Sequence, residues 1–513
     1  MPKINTRRDF LRTAGLGTAA SFFPAILPAR PRRRPNIIFI LADDLSYRDL
    51  GCYGQKWIET PNIDRLYRES MRFSNAYAGA AECAPSRCSL MTGLHMGHAR
   101  VRLNESLRGQ EHLLDEDVTV AEVLKQAGYA TGFIGKWGIG TPGTSGAPYK
   151  QGFDYSFGFY DQRTAHGYFP DYLHRNEARV DFPENHGYDM ARTYRHTKED
   201  GAHEYDADGK FIPPGLRDPS KFAYSECLFQ AEALQFVRNN KDRPFFLYYA
   251  TQLPHGPVVT PSLRQYKDRD YPDLRHKEWA AMVTQLDESS SKIGGLLKEL
   301  RIDDNTVVFF AGDNGYSAWG YFDRPRHQDD PFFHNKGPWR GGKFESREGG
   351  VRVPLFVRWS GRVKPGDCDH VCAFWDFLPT VAELAGVEPP KVDGLSIIPI
   401  LTGRRDKQRQ HEYLYWETSH EQAARLGQYH AFRPHPSKRT EVYDIVADPA
   451  CTKNIAADRP DLVARFERIF REARIDSEWY INPGETKEQI EAKRQRALKA
   501  GQMIISRRPN GLQ

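Results

Sequence analysis

Four apolar segments of the chain each run out into polar residues that can hold a cation, an anion or a proton. Residues 36–41 lead to Asp43-Asp44, and 130–134 to Gly135-Lys136-Trp137. Residues 245–249 lead to Pro254-His255-Gly256-Pro257, and 307–310 to Asp313-Asn314-Gly315. Any one of these alone reads as a turn or a helix cap, where Asp and Asn are common. Four together describe a ligand site, because in open α/β sheets ligands bind beyond the carboxyl ends of the strands. Asp43, Asp44, Asp313 and Asn314 form an oxygen-only set of three carboxylates and an amide. Hard cations take such donors, so Ca2+ or Mg2+ fits better than Zn2+. A zinc alternative uses Cys83, Cys88, His95 and His98, but their spacing matches no standard finger.

The elements that must carry these residues are readable from apolar patterning. The unbroken run 36–41 has the form of a central strand covered on both faces. Helix periodicity at 118–127, 226–239 and 279–300 precedes strands at 130–134, 244–250 and 306–311, and 354–359 is a further strand. This alternation predicts an α/β fold: a large, mostly parallel mixed sheet flanked by helices. Residues 140–220 are rich in Gly, His, Tyr, Asp and Arg without sustained periodicity, and are expected to be a functional irregular segment. Beyond 400, short strands at 412–416, 428–433 and 441–445 and a helix at 461–473 predict a small antiparallel sheet with a helix. The domain reading is therefore an export signal over 1–29, a catalytic domain over 30–400, and a C-terminal subdomain with a charged helical tail over 401–513.

With 513 residues, 39% hydrophobic and 12% aromatic, the chain is neither disordered nor of low complexity. The basic head around Arg7-Arg8, a short apolar stretch from 14 to 27 and a small residue at Ala29 describe an export signal, and Phe10-Leu11 after the arginine pair resembles the twin-arginine type. That expectation makes the protein prokaryotic and periplasmic or extracellular, with the twin-arginine machinery as a partner and no membrane-spanning segment left after signal removal. Losing 1–29 removes Lys3, Arg7, Arg8, Arg12 and Asp9, a net +3, and takes the formal charge from +5 to +2. So near-neutral a chain gives no reason to expect nucleic acid. Seven cysteines are too few for a disulfide scaffold at this size, although Cys368 and Cys372 stand close enough to pair.

Cys83-Ala84-Pro85-Ser86-Arg87, followed by Leu90-Met91-Thr92-Gly93, resembles the signature of the formylglycine-dependent sulfatases, on the alkaline-phosphatase-like scaffold. Gly312-Asp313-Asn314-Gly315, Gly341-Gly342-Lys343 and Glu348-Gly349-Gly350-Val351-Arg352 extend the resemblance across nearly the whole mature chain, toward the branch of arylsulfatase A and the N-acetylgalactosamine sulfatases. The resemblance implies sulfate ester hydrolysis by the hydrate of a formylglycine made from Cys83, installed by a formylglycine-generating enzyme. It places that group with Asp43, Asp44, Asp313 and Asn314 around one Ca2+ or Mg2+. It makes Arg87 the holder of the hydrate, Lys136 and Lys343 the clamps on sulfate, and His255 the acid for the leaving alcohol. Lys336 could substitute for Lys343, which stands where the family pattern puts its lysine. Many members carry histidine two residues after the motif lysine, whereas Gly138 stands there in this chain. His166 is the expected replacement. A sulfated carbohydrate is the expected substrate, with His166 and Arg102 as further contacts and Tyr160, Tyr168, Tyr172 and Arg175 suited to a sugar pocket. Two rival readings remain open at this point: a phosphate mono- or diester hydrolase on the same scaffold, and a non-catalytic sulfated-glycan-binding protein.

Overall fold

Strand β1 (Asn36–Asp43) is buried along its whole length and alternates its side chains between two cores. Ile37, Phe39 and Leu41 enter one core, and Ile38, Ile40 and Ala42 the other. The computed structural model describes residues 34–107, 109–188, 203–218, 220–318 and 327–499. The expected export signal lies outside them. In chain order the next strands are β2 (Met71–Tyr77), β3 (Ala130–Lys136), β4 (Tyr155–Phe159), β5 (Tyr172–Arg175), β6 (Ala178–Asp181), β7 (Glu204–Tyr205) and β8 (Phe211–Ile212). Then follow β9 (Phe245–Pro254), β10 (Thr306–Gly312), β11 (Leu355–Trp359), β12 (Gly366–Ala373), β13 (Leu414–Glu417), β14 (Gln422–Leu426), β15 (Tyr429–Arg433) and β16 (Glu441–Asp444).

Ten strands form one sheet in the order β12-β2-β11-β10-β1-β9-β3-β4-β5-β6. Its centre is parallel, with β1 between β10 and β9, β3 beside β9 and β4 beside β3. β11, β5 and β6 run antiparallel to their neighbours, so the sheet is mixed but mostly parallel. One face is covered by α1 (Pro61–Arg68), α4 (Ser225–Asn240) and α5 (Leu274–Glu299). The other is covered by α2 (Cys83–Thr92), α3 (Val120–Gln126) and α6 (Phe377–Ala385). The start of α3 is written in the sequence as Thr119-x-x-Glu122: Glu122 N donates to Thr119 Oγ1 at 3.3 Å, and Thr119 N to Glu122 Oε2 at 3.0 Å.

Two expectations need correction. The segment 140–220 is not wholly irregular, since β4, β5 and β6 extend the main sheet to its edge. At five, four and four residues they are too short to show a period. Cys368 and Cys372 are not bridged; both are buried free thiols on β12. Among the described residues no helix is long and apolar enough to cross a membrane.

The C-terminal strands form a four-stranded antiparallel sheet, β13-β14-β15-β16. Tyr415, Ala424, Ala431 and Val442 bury one face against Leu462, Phe466, Ile469 and Phe470 of α7 (Pro460–Glu472). Trp416, Ala423 and Phe432 turn the other way, onto Tyr77, Val351 and Trp375 of the larger unit. A buried polar knot lies on the same boundary. Glu348 accepts from Arg352 Nη2 at 2.7 Å and from Tyr77 Oη, while Arg425 of β14 donates to Tyr77 Oη and to Asn75 Oδ1 at 2.9 Å. Burial would raise the Glu348 carboxyl, but Arg352 and His430 hold it well below the usual carboxylate range. Phe466 is fully buried, so Phe466→Ala is expected to cost about 3–5 kcal/mol, measurable by denaturant or thermal unfolding.

Candidate functional site

The pairing register delivers the polar strand ends to one place. Ala42 lies opposite Gly312, so Asp43-Asp44 and Asp313-Asn314 emerge side by side, and Asp43 pairs with Pro254 just before His255. Asp313 N donates to Ala42 O at 2.9 Å, and Asp44 N to Asp313 Oδ1 at 3.1 Å. Asp44 takes the left-handed backbone, φ 61°, which turns the chain sharply at the strand end. β3 continues past its apolar run to end on Lys136. From the opposite face, α2 begins at Cys83, and all ten of its residues are buried. Asn104 Oδ1 accepts from Ala84 N at 2.9 Å, and Ser86 Oγ accepts from Gly79 N at 3.1 Å. Both bonds fix the start of the helix that presents Cys83.

Cys83 Sγ lies 3.4 Å from Asp43 Oδ1 and 3.5 Å from Asn314 Oδ1. Lys136 Nζ donates to Asp43 Oδ2 at 2.6 Å, and Lys343 Nζ to both oxygens of Asp44 at 2.7 and 2.8 Å. Arg87 donates through Nε and Nη2 to Asp313 Oδ2 at 3.2 and 2.9 Å. Three carboxylates thus meet three cationic side chains, and all six are buried. Burial and the neighbouring Asp43 push the Asp313 carboxyl up to about 6, against the pull of Arg87. Burial acts the same way on Asp44, but Lys343 and His255 hold it below the ordinary range. A crowd of carboxylates in which one is pushed toward protonation fits a bound hard cation, which would relieve that repulsion; Asp43, Asp44, Asp313 and Asn314 are the side chains to hold it.

Burial, with Asp43 alongside, pushes the Cys83 thiol well above its ordinary pKa. Reactive cysteines have the opposite environment, so the thiol itself is a poor nucleophile here. The His255 ring faces Asp44 Oδ2 at 3.4 Å and Lys343 Nζ at 3.3 Å through Nε2, while Nδ1 meets Gly256 O. Burial and the two lysines lower it to about 3, with Asp44 opposing, so it rests neutral. Tyr168 Oη donates to Gln252 O at 3.0 Å and His255 O at 2.8 Å, fixing the loop that carries His255.

His166 reaches this site: its ring lies parallel to that of His255, with centroids 4.4 Å apart and planes 4° apart. Arg102 does not. Its guanidinium is buried against Glu417, 2.9 Å away, and the carbonyls of Ala99, Gly97 and Ile475, so its donors are spent on its own turn and on the C-terminal subdomain. Tyr160 and Tyr168 are core residues, and Arg175 pairs with Glu232 at 2.5 Å. Lys336 donates to His327 O at 2.6 Å, which leaves the place beside Asp44 to Lys343. The zinc alternative fails, because Cys83 belongs to the Asp43–Asp44 cluster and Cys88 to the apolar core, while His95 and His98 gather round Asp393. There Gly97 N donates to His95 Nδ1 at 3.1 Å and His98 Nδ1 lies 2.9 Å from Asp393, a hydrogen-bonded turn after α2. The sequence reading passed over Gln162, whose Oε1 would lie 2.6 Å from a Cβ at Gly138.

Fold and site together define a hydrolase of the alkaline-phosphatase-like class. The Sulfatase family profile matches residues 35–387, and that of the N-sulphoglucosamine sulphohydrolase C-terminal region matches 342–470. N-acetylgalactosamine-6-sulfatase of Canis lupus familiaris is 32% identical over 436 residues, covering 82% of this chain and 74% of that one. Human arylsulfatase A is 32% identical over 458 residues, covering 84% and 81%. The crystal structure of Ps i-CgsB superposes with a TM-score of 0.70 at 26% identity, covering 92% of this chain and 99% of that chain. The chain belongs to the sulfatase family and is a sulfuric ester hydrolase.

Lys343→Ala is expected to lower kcat/KM for a sulfate ester by about 100- to 1,000-fold, while Lys336→Ala stays within about threefold. Steady-state kinetics on the two purified variants checks the assignment.

Proposed function

We propose that this protein hydrolyses sulfate esters of carbohydrates, using a formylglycine made from Cys83 and one hard divalent cation, Ca2+ or Mg2+. The observation that carries this reading is the placement of Cys83. Its side chain starts α2 beside Asp43 and Asn314, yet its environment disfavours the thiolate, so the position suits a residue converted to something else. A formylglycine hydrate supplies one hydroxyl to attack sulfur and a second whose collapse to the aldehyde releases sulfate. The cation, when bound, would stabilise that oxygen nucleophile and polarise the sulfate oxygens.

The chain's own side chains take the remaining tasks. Arg87, fixed on Asp313, would hold the position-83 group. Lys136 and Lys343 would bring two positive charges to the sulfate oxygens, where charge develops. His255 would relay a proton to the departing alcohol: its Nε2, unprotonated at rest and 3.3 Å from Lys343 Nζ, would first take the proton from that ammonium. His166, stacked on His255, would supply the imidazole that Gly138 does not.

The carbohydrate assignment is supported by relatives named for N-acetylgalactosamine-6-sulfate chemistry and by a Ps i-CgsB structure solved with k-i-k-neocarrahexaose, at 25% identity and a TM-score of 0.68. The reading extends to export through the twin-arginine route, with a formylglycine-generating enzyme acting on Cys83.

Three sets of measurements test this. The Cys83 peptide from active protein is expected to have lost the elements of hydrogen sulfide and gained one oxygen by mass, and Cys83→Ala is expected to be inactive; an intact thiol in active protein would refute the reading. A panel of regiospecifically sulfated galactose and hexosamine monosaccharides is expected to be turned over in preference to a simple aryl sulfate. Chelation is expected to abolish turnover and lower the unfolding temperature, with Ca2+ or Mg2+ restoring both.

A further inference from the structure

Gly138 is required by more than its backbone. Its φ of 79° lies in the left-handed region, and a Cβ there would come within 2.6 Å of Gln162 Oε1. The same point lies 3.7 Å from Cβ of Ala84, the residue after Cys83. The amide of Gln162 therefore fills the space over Gly138, on the side of the site where α2 begins.

That placement is built rather than incidental. Gln110 Oε1 accepts from Gln162 N at 2.6 Å, and Gln110 Nε2 donates to the carbonyls of Gly138 and Gly140, each at 3.3 Å. Gly138 N donates to Tyr160 O at 3.1 Å, so the strand exit and the Gln162 loop are bolted together on both sides. Gln162 Nε2 lies 3.5 Å from Nε2 of His166, whose ring is stacked on His255. Yet Gln162, only 4% exposed, has a buried Oε1 with no hydrogen-bond partner among the described residues. A buried acceptor left unpaired calls for a partner, which a water, an ion or a reacting group can supply, and the place of Gln162 beside Gly138 and His166 favours a reacting group.

We propose that Gln162 Oε1 accepts a hydrogen bond from a hydroxyl of the hydrated formylglycine at position 83. The amide then does two jobs. Its nitrogen faces His166, and its oxygen favours the hydrate over the free aldehyde, because only the hydrate has a proton to give. This rests on the formylglycine reading and adds a contact residue to it. The bond is an acceptor interaction and needs no change in the charge of any group.

Gln162→Met keeps length and volume but removes the acceptor, and Gln162→Glu keeps an oxygen in the same place. Gln162→Met is expected to lower kcat by about 10- to 100-fold with KM nearly unchanged, and Gln162→Glu to recover most of that loss. A second readout needs no turnover: the rate at which methoxyamine forms an oxime with the folded, metal-loaded protein reports free aldehyde. That rate is expected to rise about five- to tenfold in Gln162→Met. Peptide mass must show formylglycine at position 83 in each sample. With formylglycine present, unchanged kcat and oxime rate would overturn this proposal alone. A rise in KM at constant kcat would overturn it too, placing the contact on the substrate. An intact thiol in active protein would sink the formylglycine reading and this proposal with it.

Discussion

Three carboxylates buried within a few ångströms repel one another, and the site is arranged around that repulsion. Asp43, Asp44 and Asp313 arrive together because β1 and β10 are parallel neighbours in register, so their proximity is a property of the sheet and not of a mobile loop. Cations from three different elements meet them: Lys136 from β3 on Asp43, Lys343 from the 341–347 turn on Asp44, and Arg87 from α2 on Asp313 and, at 3.5 Å, on Asp43. Isolated buried charges are expensive, and a set of this kind is tolerated only when paired or bound to metal. Burial first, and then Asp43 beside it, push the Cys83 thiol well above its ordinary pKa, so the carboxylate set and the cysteine are electrostatically linked.

The two sheets share this logic at their boundary. Trp416, Ala423 and Phe432 supply apolar contact, while Glu348, Arg352, Tyr77 and Arg425 supply a buried network with nearly every partner satisfied. Glu348 begins the turn of helix that follows the Gly341-Gly342-Lys343 segment. The segment bearing Lys343 is thus braced from the small sheet as well as from the large one.

Much of this was legible in the sequence, for identifiable reasons. Strands buried on both faces leave unbroken apolar runs, so β1, β9 and β10 and the polar residues at their ends could be read directly. β4, β5 and β6 could not, being short and mixed in composition. β14 escaped as well: its sequence, Gln-Ala-Ala-Arg-Leu, has no β-branched or aromatic residue although every position is buried. Arg102 was misassigned because nearness in sequence to the Cys83 motif says nothing about direction, and its side chain points to the C-terminal subdomain. Gln162 left no periodic or motif signal; only the glycine at 138 hinted that something else must fill that space.

Arg102 follows α2 by ten residues, yet its grip is on Glu417 and on the backbone at Ile475, with its guanidinium over the Tyr480 ring. The segment leading away from Cys83 is therefore anchored in the last part of the described chain. Such a protein is a poor candidate for modular shuffling. Grafting a foreign C-terminal unit onto this catalytic core would cut the tether that holds the turn beyond α2, even if every residue around Asp43 were kept.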